Sequence, residues 1–174
     1  MDQARLDEIM SFSLGKNVTR IKESETEIYT PEDFESDLVR KNEETESNIC
    51  VINLIKSKAA PVSKNTINKI STQNFLRCNL DTSKILPWYF CYQFNEGKAL
   101  EQQISMFHQG TTLSVKKLTV KSIADLQIHL PPLDKQHTIG EIYRESILEH
   151  ALAIKIANEI KKYTLEMIRI IEED

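Results

Sequence analysis

Residues 130–174 read LPPLDKQHTIGEIYRESILEHALAIKIANEIKKYTLEMIRIIEED, and this stretch decides the fold. After Pro132 the sequence contains no further proline and a single glycine, Gly140, so little in it would interrupt a helix. Asp134 follows the two prolines and is a suitable N-cap. We predict one helix over residues 134–174, of which some 35 residues would extend about 50 Å at 1.5 Å per residue.

An apolar stripe runs along this predicted helix. Its members recur at steps of three and four, close to the coiled-coil period: Leu148, Leu152, Ile156, Ile160, Tyr163, Met167 and Ile170. The length of this helix exceeds the diameter of a globular domain of about 130 residues. We therefore expect part of the stripe to project from the domain and to form a dimerisation surface with a second helix. The alternative is that the helix folds back along its own domain.

Residues 1–133 predict a compact mixed domain, which makes the fold class α+β with a long C-terminal coiled-coil helix. The run ICVINLI over residues 49–55 is the best strand, because it is short, continuous and rich in β-branched residues. Ile67, Ile70 and Phe75 indicate one or two more strands, and residues 6–14 a short strand or helix. Pro61 is expected to end any regular element, and residues 120–130 alternate enough for a last strand.

The aromatic residues concentrate in one segment. Five of the 12 aromatic residues fall within residues 88–94, directly after Pro87, and proline is favoured in the first turn of a helix. Residues 98–107 predict a further helix, followed by a turn over residues 109–112. The aromatic cluster is interpreted as core packing, with a base-stacking platform as the alternative.

Charge is distributed unevenly along the chain. The net charge is −4, but residues 23–47 carry two basic and ten acidic groups, whereas residues 48–130 carry ten basic and four acidic groups. The acidic stretch, residues 22–47, predicts a loop or long insertion. The basic middle predicts a phosphate-binding face, although an ordinary solvated surface would have the same composition.

The sequence lacks the motifs of familiar enzymes and metal sites. It has no P-loop, GxGxxG, HExxH, GxSxG or EF-hand loop. Cys50, Cys78 and Cys91 form no CxxC pair, and the four histidines are widely spaced. We predict a non-catalytic protein with no metal and no cofactor of its own. The N-terminal MDQARLDE lacks the apolar core of a signal peptide and no run of about 20 apolar residues occurs, so we expect a cytoplasmic protein that does not span a membrane.

Several phrases, taken in order, resemble the target-recognition half of the DNA specificity subunit of type I restriction–modification systems. These phrases are RLDEIMSFSLGKNVTR (residues 5–20), YTPEDF (29–34), VINLIKSKAAPVS (51–63), KISTQNFLRCN and ILPWYFCYQF. The most specific is HQGTTLSVKKLTVKSIADLQIHLPPLDKQHTIGEI (108–142), in which a Gly and Ser/Thr precede an apolar strand, Pro-Pro-Leu, an acid-x-Gln and a long helix. The chain departs from the family where Ser47-Asn48 replaces the usual Gly-Asp before the central strand.

The resemblance implies half of a specificity subunit, because a full subunit has two recognition domains joined by two long helices. Residues 1–133 would read DNA and residues 134–174 would form the dimerisation and spacer helix. Either two copies pair through their helices to restore the spacing of two domains, or the chain is a truncated or exchangeable cassette. The implied partners are double-stranded DNA, the methyltransferase and restriction subunits, and a second copy of the chain. S-adenosylmethionine and ATP would belong to those partner subunits.

The DNA-binding candidates come from the basic middle and from the segment around Gly15. Basic side chains would contact phosphates and polar ones base edges: Lys16, Arg20, Lys64, Lys69, Arg77, Lys98, Lys116 and Lys117, and Gln73, Asn74, Gln109 and Thr111. The resemblance assigns no role to any one of them. Two other hypotheses remain open at this point: an interaction module that binds no DNA and uses the helix as a coiled-coil tail, and an enzyme with scattered site residues.

Overall fold

A computed structural model describes residues 2–17, 19, 27–39, 47–108 and 118–173. Within them the chain forms eight strands, β1 (Asp2–Arg5), β2 (Met10–Leu14), β3 (Ile28–Tyr29), β4 (Ile49–Asn53), β5 (Lys58–Pro61), β6 (Ile70–Ser71), β7 (Phe75–Leu80) and β8 (Gln127–Leu130). The helices are α1 (Leu6–Ile9), α2 (Pro31–Val39), α3 (Pro87–Glu96), α4 (Lys98–His108), α5 (Val120–Ala124) and α6 (Leu133–Glu173). The predicted α+β class is confirmed.

The centre of the domain is a four-stranded antiparallel sheet with the order β2-β7-β4-β5. Strand β4 is covered on both faces: Cys50 and Ile52 face the larger core, and Val51 faces the smaller one. Burial on both faces explains why its sequence is a continuous apolar run without polar alternation. Two short pairs flank this sheet, β1 with β8 antiparallel and β3 with β6 parallel.

The aromatic helix α3 lies in the larger core, as predicted. Trp88, Tyr89, Phe90 and Phe94 are all buried against the sheet and α6. Their packing into the core leaves no basis for a base-stacking platform.

The acidic stretch differs from the prediction of a loop, because residues 28–39 form β3 and α2. Thr30 and Asp33 cap α2 reciprocally, with each side chain accepting the other's backbone N–H at 3.2 and 2.9 Å. Phe34 is buried in the smaller core. The sequence signal for α2 is therefore a capping pattern with Pro31 in the first turn. The many acidic residues around it make this pattern hard to recognise.

Two further boundaries were wrong. Residues 120–130 hold α5 before β8, because Thr119 and Ser122 form a capping box. The long helix begins at Leu133, one residue before the predicted N-cap Asp134. The prediction for Pro61 is confirmed, because Pro61 is the last residue of β5; it is tolerated there because β5 is an edge strand.

A side-chain amide covers the outer edge of β5. Asn95 accepts a hydrogen bond from the Ala59 N–H at 2.7 Å and donates to the Ala59 carbonyl at 2.8 Å. It also donates to the Tyr143 hydroxyl on α6 at 3.0 Å. Asn95 thus supplies the backbone contacts that a fifth strand would make and ties the sheet edge to α6.

Helix α6 is anchored through its first four turns. The buried Gln136 accepts from the Leu86 N–H at 3.0 Å and donates to the carbonyls of Lys84 and Pro131 at 2.9 and 2.8 Å. At Gly140 the helix approaches α3 so closely that a Cβ atom would lie 2.9 Å from the Trp88 Cβ. Tyr143 then packs edge-on against Trp88 and Tyr92, so α6 runs along α3 in the same direction.

Candidate nucleic-acid interface

Gly15 allows the segment after β2 to contact residues 71–74. A Cβ atom at this position would lie 2.0 Å from the Thr72 carbonyl oxygen, so the approach requires glycine. The Lys16 N–H donates to the Ser71 carbonyl at 2.8 Å, and the Gln73 N–H donates to the Lys16 carbonyl at 3.0 Å. The fold therefore brings Lys16 and Gln73 together, although they are far apart in sequence.

Asn74 lies at the same end of the sheet. Its carbonyl accepts from the Leu54 N–H at 2.9 Å, which joins it to the turn between β4 and β5. Asn53 shapes that turn, because its side-chain oxygen accepts from the N–H groups of Ile55 and Lys56 at 3.0 Å. Lys16 and Gln73 are exposed and Asn74 is half-buried, so cationic and amide groups share one surface. We call Lys16, Gln73 and Asn74 the sheet-end cluster.

A mostly apolar groove adjoins the sheet-end cluster. It has a volume of about 310 Å³ and is lined by Leu14, Leu54, Gln73, Leu118, Thr119 and Val120. Leu14 is 51% exposed, and Ile55 on the neighbouring turn is 57% exposed. Such a surface carries groups that can contact DNA chemically: cations for backbone phosphates, amides for base edges and apolar side chains for thymine methyl groups.

Lys69 lies apart from this cluster and is engaged within the domain. Its ammonium contacts Asp33 at 3.0 Å and Glu27 at 3.4 Å. Burial alone would raise the pKa of Asp33, but the Thr30 N–H hydrogen bond and the Lys69 charge together lower it. The hydrogen bond to Asp33 in turn raises the pKa of Lys69. The structure thus gives Lys69 a role in fixing α2 to β6.

Arg77 also points into its own domain. Its guanidinium donates to the Ile67 carbonyl at 2.7 Å, and burial lowers its pKa. Next to it lies a buried carboxylate, Asp37, which accepts from the Tyr29 hydroxyl at 2.9 Å and the Thr66 hydroxyl at 2.7 Å. These bonds hold the turn over residues 63–67 against α2.

The other DNA-binding candidates are dispersed. Lys64 is exposed on the 63–67 turn, and Lys98 is exposed at the start of α4. Arg20, Gln109, Thr111, Lys116 and Lys117 lie outside the described residues, as does the predicted turn over residues 109–112. The structure therefore gathers three of the candidates at the sheet end and leaves five unplaced.

Two lysines near the sheet-end cluster were not among the predicted DNA-binding candidates. Lys56 and Lys58 flank Ser57, whose positive φ of 52° makes the tight turn between β4 and β5. Lys56 pairs with Glu35 at 2.6 Å, and Lys58 with Glu96 at 3.0 Å. The signal that could have found them is the Lys-Ser-Lys sequence directly after the best strand, since a tight turn there places both side chains at the sheet end.

The apolar stripe of α6 points away from the domain. Gln136, Gly140, Tyr143 and Ile147 pack on the body, and at 3.6 residues per turn the stripe lies about 180° away from them around the helix axis. Leu148 is half-buried, and the remaining stripe residues are exposed: Leu152, Ile156, Ile160, Tyr163, Met167 and Ile170. The alternative in which the helix folds back along its own domain is therefore wrong.

The described residues show neither a metal-ligand cluster nor a membrane span. Across residues 2–17, 27–39, 47–108 and 118–173, no group of three or more His, Cys, Asp or Glu side chains converges on one point. No helix in that part of the chain combines the length and apolar character needed to cross a membrane. The three cysteines are buried, and burial raises the pKa of Cys78 well above its usual value.

Comparison with solved structures identifies proteins of the same fold. The HsdS subunit from Thermoanaerobacter tengcongensis aligns with a TM-score of 0.57 at 17% identity, over 90% of this chain and 39% of that one. A chain of the type I R-M system, from a study of its complex assembly and conformational transition, aligns with a TM-score of 0.63 at 15% identity, over 96% and 43%. The S subunit of the type I restriction–modification system from M. genitalium gives 0.55 at 15%, over 93% and 44%.

No family model and no curated protein sequence matches the chain. The chain spans about two fifths of the length of the solved structures that it resembles. It therefore has the fold of one half of a type I S subunit, a mixed domain with one long helix. The resemblance predicted from the sequence phrases is confirmed at the level of the fold.

Proposed function

We propose that this chain forms one recognition half of a specificity subunit of a type I restriction–modification complex in the cytoplasm. Residues 1–133 read one half-site of a bipartite DNA sequence, and residues 134–174 pair with the helix of a second copy. The observation that carries the proposal is the half-subunit fold with an exposed stripe on α6, because one domain with one uncovered helix is completed by a symmetric copy.

The sheet-end cluster is the proposed contact with DNA. Lys16 contacts phosphate, and Gln73 and Asn74 contact base edges, since an Asn or Gln amide can bind the N6 and N7 atoms of adenine. The chain itself is not a catalyst. The outer face of α6 positions the methyltransferase and restriction subunits, which supply the chemistry that uses S-adenosylmethionine and ATP.

A gel-shift titration tests the reading function. Duplexes selected from a random pool with the methyltransferase partner present are compared with random duplex at several salt concentrations. Lys16→Ala should weaken binding to every duplex and reduce the salt slope by about one, whereas Gln73→Ala should weaken only the selected duplex by about 1–3 kcal/mol. Equal affinity for selected and random DNA would contradict the proposal.

Lys116 and Lys117 offer a second comparison. If they contact phosphate, their joint replacement by Ala weakens binding to all duplexes alike. Lys135→Ala serves as a matched control, because Lys135 is exposed on α6 and lies away from the sheet end. If the chain retained the methyltransferase partner but no DNA, it would instead be an interaction module with a coiled-coil tail.

A further inference from the structure

The side of α6 that packs on the domain continues beyond the domain as a cationic surface. Gln136, Gly140 and Tyr143 mark this side, because all three contact the body. At 3.6 residues per turn, a set of later cationic and amide side chains lies within about 60° of Gly140 around the helix axis. We call this set the basic face: Lys155, Asn158, Lys161, Lys162 and Arg169. The apolar stripe lies on the opposite side of the helix.

The basic face combines regular spacing with a single sign of charge. Lys155, Lys162 and Arg169 follow one another at intervals of seven residues, so they form a nearly straight row with about 10.5 Å between neighbours. Between Lys155 and Arg169 no acidic residue shares this side of the helix, because Glu159 and Glu166 lie about 80–100° away from it around the axis. The row therefore presents positive charge without interruption along about 21 Å of helix.

The four cations of the basic face are available to a partner. All four are exposed, and among the described residues none of them forms an ion pair with a carboxylate. Lys56, Lys58 and Lys69 differ in this respect, because each pairs with a carboxylate of the domain. Four of the five members also line one open depression of about 250 Å³ together with Leu165. The face is thus a continuous surface whose charge is not neutralised within the described chain.

The basic face projects from the end of the domain that carries the sheet-end cluster. Lys58, directly after the turn between β4 and β5, donates to the Asn95 carbonyl at 2.7 Å and pairs with Glu96, the last residue of α3, at 3.0 Å. Asn74 binds the same turn through its carbonyl. Because α6 runs along α3 in the same direction, it leaves the domain at the sheet end. A duplex held at the sheet end therefore has the basic face beside it.

We propose that the basic face binds phosphates of the DNA that flanks the half-site read by the sheet-end cluster. This rests on the proposed reading function and adds a second contact surface that is independent of base sequence. Duplex DNA carries one negative charge per about 1.7 Å of its axis, which complements the row of cations, and the Asn158 amide can donate to phosphate oxygens. A second copy bound on the apolar stripe leaves the basic face free, because the two surfaces lie on opposite sides of the helix.

A gel-shift salt titration of Lys162→Ala combined with Arg169→Ala tests the contact in the complex with the methyltransferase partner. Loss of two phosphate contacts should reduce the slope of log K against log salt by about 1.8. From about 50 to 200 mM salt the variant should therefore lose about 12-fold less affinity than the parent, equally for selected and random duplex. Lys84→Ala combined with Lys135→Ala is the matched control and should keep the parent's slope, because both cations are exposed at the other end of α3.

Directed DNA cleavage provides a second measurement that does not depend on affinity. The native cysteines have no exposed surface, so an iron–EDTA reagent attaches to an introduced cysteine. Leu165→Cys places the reagent on the side of the basic face, and Met167→Cys places it on the apolar stripe only two residues later. The reagent at position 165 should cut the selected duplex next to the half-site, whereas the reagent at position 167 should cut those sites much less.

The outcomes separate this inference from the proposed function. If the parent prefers the selected duplex, but the paired variant keeps the parent's slope or position 165 directs no cleavage, the basic face does not bind DNA and the reading function stands. If the paired variant loses the methyltransferase partner while its contacts with DNA are unchanged, an acidic protein surface is the occupant and the inference is overturned. If the parent binds selected and random duplex alike, both the reading function and a contact beside a half-site are overturned.

Discussion

The second half of α6 is richer in apolar residues than the first, yet the first half is the one that is buried. Over residues 133–151 the helix buries Gln136 and Gly140 against α3, and half-buries Tyr143 and Ile147. Over residues 152–173 every side chain is exposed. The first half packs on its own domain, whereas the second half has no partner within the described chain. An apolar repeat in a helix sequence therefore does not tell which segment will pack against the stripe.

The largest expected effect comes from the second half. Leu152→Asp combined with Ile160→Asp should weaken self-association by roughly 1000-fold, or about 4 kcal/mol, because each side chain would lose the burial of a large apolar group. The midpoint of urea unfolding of the domain should stay unchanged, since both positions are exposed within one chain. Sedimentation velocity measures the first quantity, and a dimer that survives would show that another surface joins the copies.

Gly140→Leu makes the strongest test of the first half. The added side chain cannot fit where a Cβ already lies 2.9 Å from the Trp88 Cβ, so the free energy of unfolding should fall by about 3 kcal/mol. Circular dichroism during urea titration measures this change. Ala153→Leu is the matched control, because Ala153 is exposed; an equal loss there would show that the two halves do not differ.

Gln136→Ala should have the next largest effect. It removes three hydrogen bonds and leaves the Leu86 N–H and two carbonyls without their partner, which costs about 2–3 kcal/mol of unfolding free energy. The matched control is Gln102→Ala, because Gln102 is exposed on α4; this change should alter the free energy of unfolding by less than about 0.5 kcal/mol. Similar losses at the two sites would contradict an anchoring role for Gln136.

Tyr143→Phe should have the smallest effect, about 1 kcal/mol, because it removes one hydrogen bond from Asn95. Burial raises the pKa of Tyr143 above its ordinary value of 10.0. The folded protein therefore holds this proton more tightly than the unfolded chain does, and the stability that it contributes is lost as the pH rises above about 10. The variant should lose less stability above pH 10 than the parent, as measured by urea titration from pH 8 to 11; identical slopes would contradict this.

The sequence was sufficient where one physical signal dominated. Strand β4, helix α3 and helix α6 were predicted because a buried run, an initial proline and a long repeat each leave few alternatives. The acidic helix α2 was missed because its capping box lies among surface charges. The two hydrogen bonds between the Asn95 side chain and the Ala59 backbone could not be predicted, since they depend on tertiary contacts between distant segments.

The candidate site was predictable only in part. Gly15 and Lys16 were visible directly after the element predicted over residues 6–14, but the contact of this segment with residues 71–74 depends on how β2 pairs with β7. Lys69 and Arg77 have the same composition signal as Lys16, yet they bind Asp33 and a backbone carbonyl inside the domain. Charge along a sequence therefore does not distinguish a cation that faces solvent from one that holds the fold together.

The amide of Asn95 has a consequence for how copies of this chain avoid one another. An uncovered sheet margin invites strands from neighbouring molecules to add to it and grow into aggregates. In β5 the residue whose backbone would recruit such a strand, Ala59, is already bound by Asn95, and Pro61, two residues later, has no N–H to offer. Strand addition at the β5 edge is thereby disfavoured, so the pairing of copies through α6 that we propose does not compete with open-ended growth from that edge.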